Sequence, residues 1–299
     1  MAITTGSIPK SNAPGVRYWF GRAYNEHTPQ YTDLFDMDTS KRGWEEIVEL
    51  TGFGLVPVKS EGTARNYYSE TQGYNTIARH VSYGAGFIVS REARDDDLYA
   101  EVGKTRAQAL AFSFRQTKER VAASVYNLGF STSYPIGDGA AMLSASHPCV
   151  SGNQSNMLAT ATDLSEDAIE DLCVQIYNAQ NSRGHQISLM PQSLHVSTSD
   201  YFEAVRILES TLRSGTANND KNVLSGKFPG GIKMNVYFSD SDAWFIRTNC
   251  PVGMKLFQRT ALEFDSDNDT DTDNERYWGF ERYIPVCCDW RSVYGSAGA

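Results

Sequence analysis

Residues 95–129 hold no proline and read as one uninterrupted helix, unusually long for a chain of this size. It opens on Asp95-Asp96-Asp97, acids suited to the positive end of a helix dipole, runs on as LYAEVGKTRAQALAFSFRQTKERVAASVYNL and stops at Gly129. At about 1.5 Å per residue the rod is roughly 50 Å long, about the diameter of a compact chain of this length. Its apolar residues form two offset stripes: Leu98, Val102, Ala109 and Phe112, then Phe114, Val121, Val125 and Leu128. Different parts of the helix must therefore bury against different neighbours.

The segment before it, Phe53 to Ser90, has no helical period and alternates like strands. Tyr67, Tyr68, Tyr74, Ile77, Val81, Tyr83, Phe87 and Ile88 stand among Gly62, Gly73, Gly84 and Gly86. This is the composition of a long two-stranded ribbon with turns and bulges. A lone hairpin is marginal in water, so the ribbon must lie on its own domain or on a neighbouring copy. Its tyrosine-rich character favours the neighbour, because tyrosine suits a surface wet before assembly and covered after it.

Of the net charge of −9, seven carboxylates fall in Glu263–Glu275, and without them the chain carries only −2. That excludes a uniformly acidic nucleic-acid mimic, and there is no basic stripe of the kind a sequence-reading DNA binder needs. Lys10, Arg17 and Arg22 precede the first acid, Glu26, in a Gly-, Pro-, Ser- and Asn-rich segment that reads as an arm. The five cysteines, 149, 173, 250, 287 and 288, form no CxxC pair and read as reduced, buried thiols. The start lacks an export core and no run approaches 18 apolar residues, so cytoplasmic synthesis and a soluble protein are expected.

The remaining elements follow from periodicity. KRGWEEIVELTG places Trp44, Ile47 and Val48 on one face of a short helix ended by Gly52. A second helix is capped by Asp163 or Ser165, buries Ile169, Leu172, Cys173, Ile176 and Tyr177 and stops at Gly184. The strand ISLMPQSLHVS leads to a third helix, capped by Thr198 or Ser199, burying Phe202, Val205, Leu208 and Leu212 before Gly215. From Ile232 the pattern is β: IKMNVYF, AWFIRTN, MKLFQR and YWGFERYIPVCCDW. The class is α+β, with no βαβ alternation.

Catalytic and metal chemistry finds little footing. Read as EF-hand loops from Asp265, Asp267 or Asp269, the acidic run lacks glycine at position 6 and glutamate at position 12 in each register. A looser calcium site using Asp265, Asp267, Asp269 and Asp271 stands against a solvated loop, or one answering an arginine of another subunit. Ser225-Gly226-Lys227 lacks the leading glycine of a phosphate loop, and Gly84-Ala-Gly86 opens no helix. There is no GxSxG and no HExxH. His147 and Cys149 could pair as base and nucleophile only with an orienting acid that the local sequence does not supply. No catalytic residue, metal or cofactor is assigned.

Several segments, in order, carry a likeness. Tyr126-Asn127-Leu128-Gly129-Phe130 closes the long helix, and Asp138-Gly139 precedes Leu143 and Ser144-Ala145-Ser146-His147-Pro148. Asp242-Ala243-Trp244-Phe245 leads into the late strands, and the end carries Phe264 with the acidic run and Asp289-Trp290-Arg291-Ser292-Val293-Tyr294-Gly295. From about residue 40 onward the chain resembles the major capsid protein of tailed bacteriophages, with the HK97-like fold, in its Mu-like major head subunit branch. The resemblance implies an N-terminal arm with a short helix (1–51), an extended hairpin loop over a neighbouring subunit (52–92) and a peripheral domain with a spine helix (93–159). An axial domain (160–257) and C-terminal strands of the peripheral domain (258–299) complete it.

It further implies pentamers and hexamers in an icosahedral virion shell, assembled in the host cytoplasm. The implied partners are a separate scaffold, a portal, decoration proteins and non-specifically packaged double-stranded DNA, with no membrane. Lys59, Arg65, Tyr67, Tyr74, Arg79, Trp290, Arg291 and Tyr294 are the expected assembly contacts. Some relatives weld subunits by a Lys to Asn isopeptide bond; Lys59 is the one lysine of the ribbon and no local motif marks a receiving Asn, so cross-linking is not expected. An encapsulin-like cellular compartment is the alternative on the same fold, and a calcium-stabilised binding module or cysteine hydrolase the alternative from another class.

Overall fold

The computed structural model describes residues 13–26, 28–96, 101–212, 221–269 and 274–299. They divide into two compact units, one of residues up to Trp44, Arg79–Ala122 and Leu256–Pro285, the other of Glu45–Ala78, Ala123–Lys255 and Val286–Ala299.

The first unit is built on a four-stranded sheet in which β1 (Asp36–Thr39) neighbours β8 (Met254–Asn268), β8 neighbours β9 (Glu275–Cys287), and β9 pairs antiparallel with β4 (Val81–Val89). Alternation along β9 buries Tyr277, Glu281 and Tyr283 and turns Arg276, Trp278 and Phe280 outward. Against the inward side lie α1 (Ala13–Glu26) and the long helix α4 (Glu101–Asn127), with Phe20, Ala107, Ala111 and Phe114 in the core. Phe20 stacks on Phe264 at 4.3 Å between centroids. Ala107 and Ala111 are fully covered, and a Cβ on Gly279 would meet the Phe114 ring at 2.6 Å. Small residues on both surfaces thus let helix and sheet close up.

Charged residues of α4 tie down α1 and the chain after it. The Glu119 carboxylate accepts the backbone N–H groups of Gln30 (2.9 Å) and Tyr31 (2.8 Å) at the start of α2 (Tyr31–Leu34), and Arg115 Nε donates to the carbonyl of Tyr24 (3.2 Å). Lys118 forms a fully buried ion pair with Glu281, its ammonium 4.9 Å from the centre of the Tyr283 ring. Burial lowers the Lys118 pKa, with Glu281 opposing the shift.

The second unit holds a sheet in the order β10 (Val293–Ser296), β7 (Trp244–Thr248), β5 (Pro191–Val196), β6 (Ile232–Met234), antiparallel except for the β5–β6 pair. Helices α5 (Glu166–Tyr177) and α6 (Tyr201–Glu209) bury Ile169, Leu172, Ile176, Ala204 and Leu208 against Leu194, Val196, Trp244 and Ile246. The Ser165 hydroxyl caps α5 by accepting from Ala168 N–H at 3.3 Å. A separate two-stranded ribbon, β2 (Trp44–Leu50) with β3 (Gln72–Arg79), is joined through residues 51–71, which carry no strand.

Several expectations are corrected. Ala13–Glu26 is a helix with Phe20 and Ala23 buried, so Arg17 and Arg22 sit on a packed element rather than a loose arm; Lys10 lies outside the described residues. Trp44–Leu50 is a strand, because Glu46 and Glu49 find partners there: Asn75 donates to Glu46, and Arg291 pairs with Glu49. The ribbon therefore begins nine residues before Phe53, and Val81–Val89 leaves it to join β9.

The long helix is described from Glu101. Asp95 ends a separate short helix, α3 (Arg91–Asp95), and Asp96 is a bend, since three adjacent aspartates repel and are poor helix formers; Asp97 and Leu98 lie outside the described residues. Helix α5 stops at Tyr177, which stays partly exposed, because the chain folds back there in a turn closed by Asn181 N–H to His185 O at 2.8 Å, with Gly184 at φ 83°. Neither Thr198 nor Ser199 caps α6; its N-cap is Asp200, and Ser197 Oγ accepts from the N–H groups of Ser199 (3.1 Å) and Asp200 (3.4 Å). Phe202 is exposed because the face of this short helix is set by Ala204 and Leu208; Leu212 lies past its end, and Gly215 lies outside the described residues. Glu263–Asn268 belongs to β8 and is not loop. Residues 286–299 join the second unit because β10 pairs with β7 in that unit's sheet.

Candidate assembly surface and its anchor

The segment joining β2 to β3 leaves apolar side chains in water. Phe53, Leu55, Val56, Val58 and Tyr67 are exposed, Val56 at 89% and Val58 at 98%. Each aliphatic group left out forgoes about 1.5–3 kcal/mol of burial. The two limbs still keep register: Thr51 pairs with Thr71 through N–H to O (3.2 Å) and Oγ1 to O (2.8 Å), and the Tyr68 hydroxyl donates to Leu55 O at 3.1 Å. Lys59, Arg65 and Arg79 are exposed.

At the base of this hairpin polar groups replace apolar ones. Arg291, 3% exposed, donates from Nε to Gln180 O at 2.9 Å, and its Nη1 lies 3.2 Å from Glu49 Oε1 and 3.3 Å from Asp289 Oδ1. Its Nη2 meets Ser182 Oγ (3.3 Å) and Cys149 Sγ (3.5 Å), and Ser182 donates to Glu49. Glu49 lies across the partner strand, where a Cβ on Gly73 would stand 2.6 Å from its Oε2, so a side chain there would push the carboxylate aside. Burial works to lower the Arg291 pKa, but Asp289, Cys149 and Glu49 outweigh it and the net shift is upward. Tyr74 is half-buried, its hydroxyl has no hydrogen-bond partner, and burial followed by Asp289 and Glu49 raises its pKa.

A second buried polar knot joins the segments that carry the sequence likeness. His147 Nδ1 contacts Asp138 Oδ2 at 2.6 Å and Nε2 contacts Asn156 Oδ1 at 3.0 Å, while its ring stacks on Trp290 at 4.4 Å. Asn156 Nδ2 donates to the carbonyls of Met142 (2.8 Å), Trp290 (3.1 Å) and Val293 (3.0 Å). Asp138 is thus the acid the local sequence does not reveal. It orients a histidine whose two nitrogens are both engaged, and burial raises the Cys149 thiol pKa. Trp290 and Tyr294, 1% exposed each, and Arg291 are core residues of the second unit rather than outward contacts, which corrects their expected role. Sequence gave no signal for Glu49, Ser182 or Asn156, which are ordinary polar residues made important by what they meet.

The described acids of the run do not gather. Asp265 pairs with Arg17 and Asp269 with Arg276; Glu263, Asp265 and Asp267 alternate along the exposed side of β8, and Asp271 lies outside the described residues. Among the described residues no three His, Cys, Asp or Glu side chains converge as a metal site, and no helix is long and apolar enough to cross a membrane.

A profile of the phage capsid protein family matches residues 73–296 of the 299. The chain belongs to the phage capsid protein family. The subunit has the HK97-like capsid fold, as comparison with solved structures shows. One is the capsid of a native GTA particle, with TM-score 0.57 at 12% identity over 90% of each chain. Another is the chain of Mycobacterium phage Adephagia, with TM-score 0.55 at 11% identity over 100% of this chain and 99% of that one. The virus-like particle from Pyrococcus furiosus gives 0.54 at 12% identity over 96% and 99%. No curated protein matches the chain. The subunit is a structural protein of the virion that assembles with copies of itself into a shell.

Proposed function

We propose that this subunit is the major head protein, closing by pentamers and hexamers into an icosahedral shell around phage double-stranded DNA, without catalytic turnover. The observation that carries the reading is the row Phe53, Leu55, Val56 and Val58, apolar and uncovered within its own chain. Such a row finds its minimum under or over a neighbouring copy, and a closed shell offers every copy the same neighbour. Lys59, Arg65, Tyr67 and Arg79 are the contacts assigned to this hairpin. The first unit supplies the peripheral domain and the larger part of the second the axial domain. Many standard-sized interfaces, each weak enough to correct errors, are summed by closure. A scaffold, a portal and decoration proteins are the further partners, and host cytoplasm is the place of assembly.

Electron microscopy of the chain expressed alone or with its scaffold tests this: closed particles are expected, and a chain that stays monomeric in every assembly condition overturns it. Native particles should hold nuclease-protected DNA. Particles filled with an enzyme cargo would instead favour a cellular compartment, a reading to which the likeness to the Pyrococcus furiosus particle gives some weight.

A further inference from the structure

We infer that Arg291 is a positioning residue for assembly: through Glu49 its guanidinium fixes the direction in which the exposed hairpin leaves the second unit. The inference rests on the shell reading above for its consequence, though its geometry stands without it. Four separate stretches of chain converge on this one side chain: Glu49 from the hairpin, Cys149 from beside the His147 knot, Gln180 and Ser182 from the turn after α5, and Asp289 from the C-terminal segment. A planar guanidinium with five donors can satisfy all of them at fixed angles, which an ammonium cannot. Because Gln180, Ser182, Asp289 and Cys149 hold Arg291 from outside the hairpin, Glu49 is the handle by which it holds the hairpin.

The rest of the hairpin base is paired within itself, through β2–β3 and the Thr51–Thr71 bonds, and Ser182 Oγ donates to the same Glu49 carboxylate. The hairpin's apolar tip contributes no core, and a second tie to the same turn, Arg183 Nη2 to Ser69 O at 3.1 Å, is exposed and therefore competes with water. A side chain at Gly73 would crowd Glu49 Oε2 where Glu49 folds across β3 to reach the clamp. With Glu49 cut short, the unit's core of Leu194, Ile246 and Tyr294 is untouched while the hairpin loses its fixed angle.

The test uses the unassembled full-length chain with spin labels on non-natural residues at positions 58 and 171, one on the exposed tip and one on α5. Glu49→Ala is expected to at least double the width of the measured distance distribution, and Arg291→Lys to broaden it as well. Glu46→Gln, within the hairpin, should leave it unchanged. Far-ultraviolet circular dichroism and thermal unfolding of Glu49→Ala should match the wild type, and its shells should be fewer or misshapen. An unchanged width in Glu49→Ala overturns the inference, as does broadening accompanied by loss of the core's unfolding transition, which marks a merely structural residue. If the wild type forms no shells, the capsid reading fails while the distance measurement still decides the clamp.

Discussion

His195 stands on β5 with its ring wholly buried, Nε2 2.8 Å from Ser193 Oγ and Nδ1 without a hydrogen-bond partner. Burial, then Arg247 and Lys233, depress its pKa from 6.5 to about 3. The folded protein therefore holds this ring neutral, while the unfolded chain takes up a proton as soon as pH falls below about 6.5. Its contribution is fully present above that pH and is lost progressively between 6.5 and 3, at about 1.4 kcal/mol per pH unit. Denaturant unfolding of His195→Gln across this window should show a pH slope shallower than wild type by that amount; equal slopes would mean that the ring protonates inside the fold. In the sequence His195 is one of five scattered histidines, and its state follows entirely from the strands around it. Trp290, Arg291 and Tyr294 mislead for the same reason. Aromatic residues with an arginine have the composition of an interface, yet here they close a core.

Elements were legible where one periodicity ran unopposed. Helix α5 follows its i, i+3, i+4 spacing and its Ser165 cap, and β9 follows its alternation. Trp44–Leu50 fails because helix-forming glutamates are conscripted into strand pairing by Asn75 and Arg291, partners distant in sequence. The approach of α4 to β9 is equally invisible, since it rests on what Gly279 lacks. In Gly279→Ala the new methyl would stand 2.6 Å from the Phe114 ring, with a second ring atom at 2.9 Å. Overpacking of this kind costs about 1–3 kcal/mol. Chemical denaturation should show that loss, and Phe114→Leu in the same chain should recover part of it by clearing the space. A Gly279→Ala chain as stable as wild type would mean that helix and sheet separate freely.

For the molecule as a whole, the sequence announced its class and its exposed ribbon, but not which residues of the ribbon are bare. The tyrosines point to a wet surface, and Tyr67 is exposed, but the valines of Gly54-Leu55-Val56-Pro57-Val58 stand equally bare beside it. Pro57 withholds a backbone donor there, so the segment cannot extend the ladder of its own hairpin and cannot readily template open-ended pairing. Its side chains are thereby left for a neighbour. If they serve only assembly, placing charge on them is harmless to the single subunit and ruinous to the shell. Val56→Asp with Val58→Asp should leave the thermal unfolding midpoint of the unassembled chain within about 1 °C, because exposed substitutions cost under about 0.5 kcal/mol. The same chain should give no closed particles by electron microscopy, since each interface would bury two uncompensated carboxylates. A doubly substituted subunit that unfolds early would show the tip packing on its own body, and one that forms normal shells would show the tip facing solvent in the assembled state; either result removes the hairpin from the assembly mechanism.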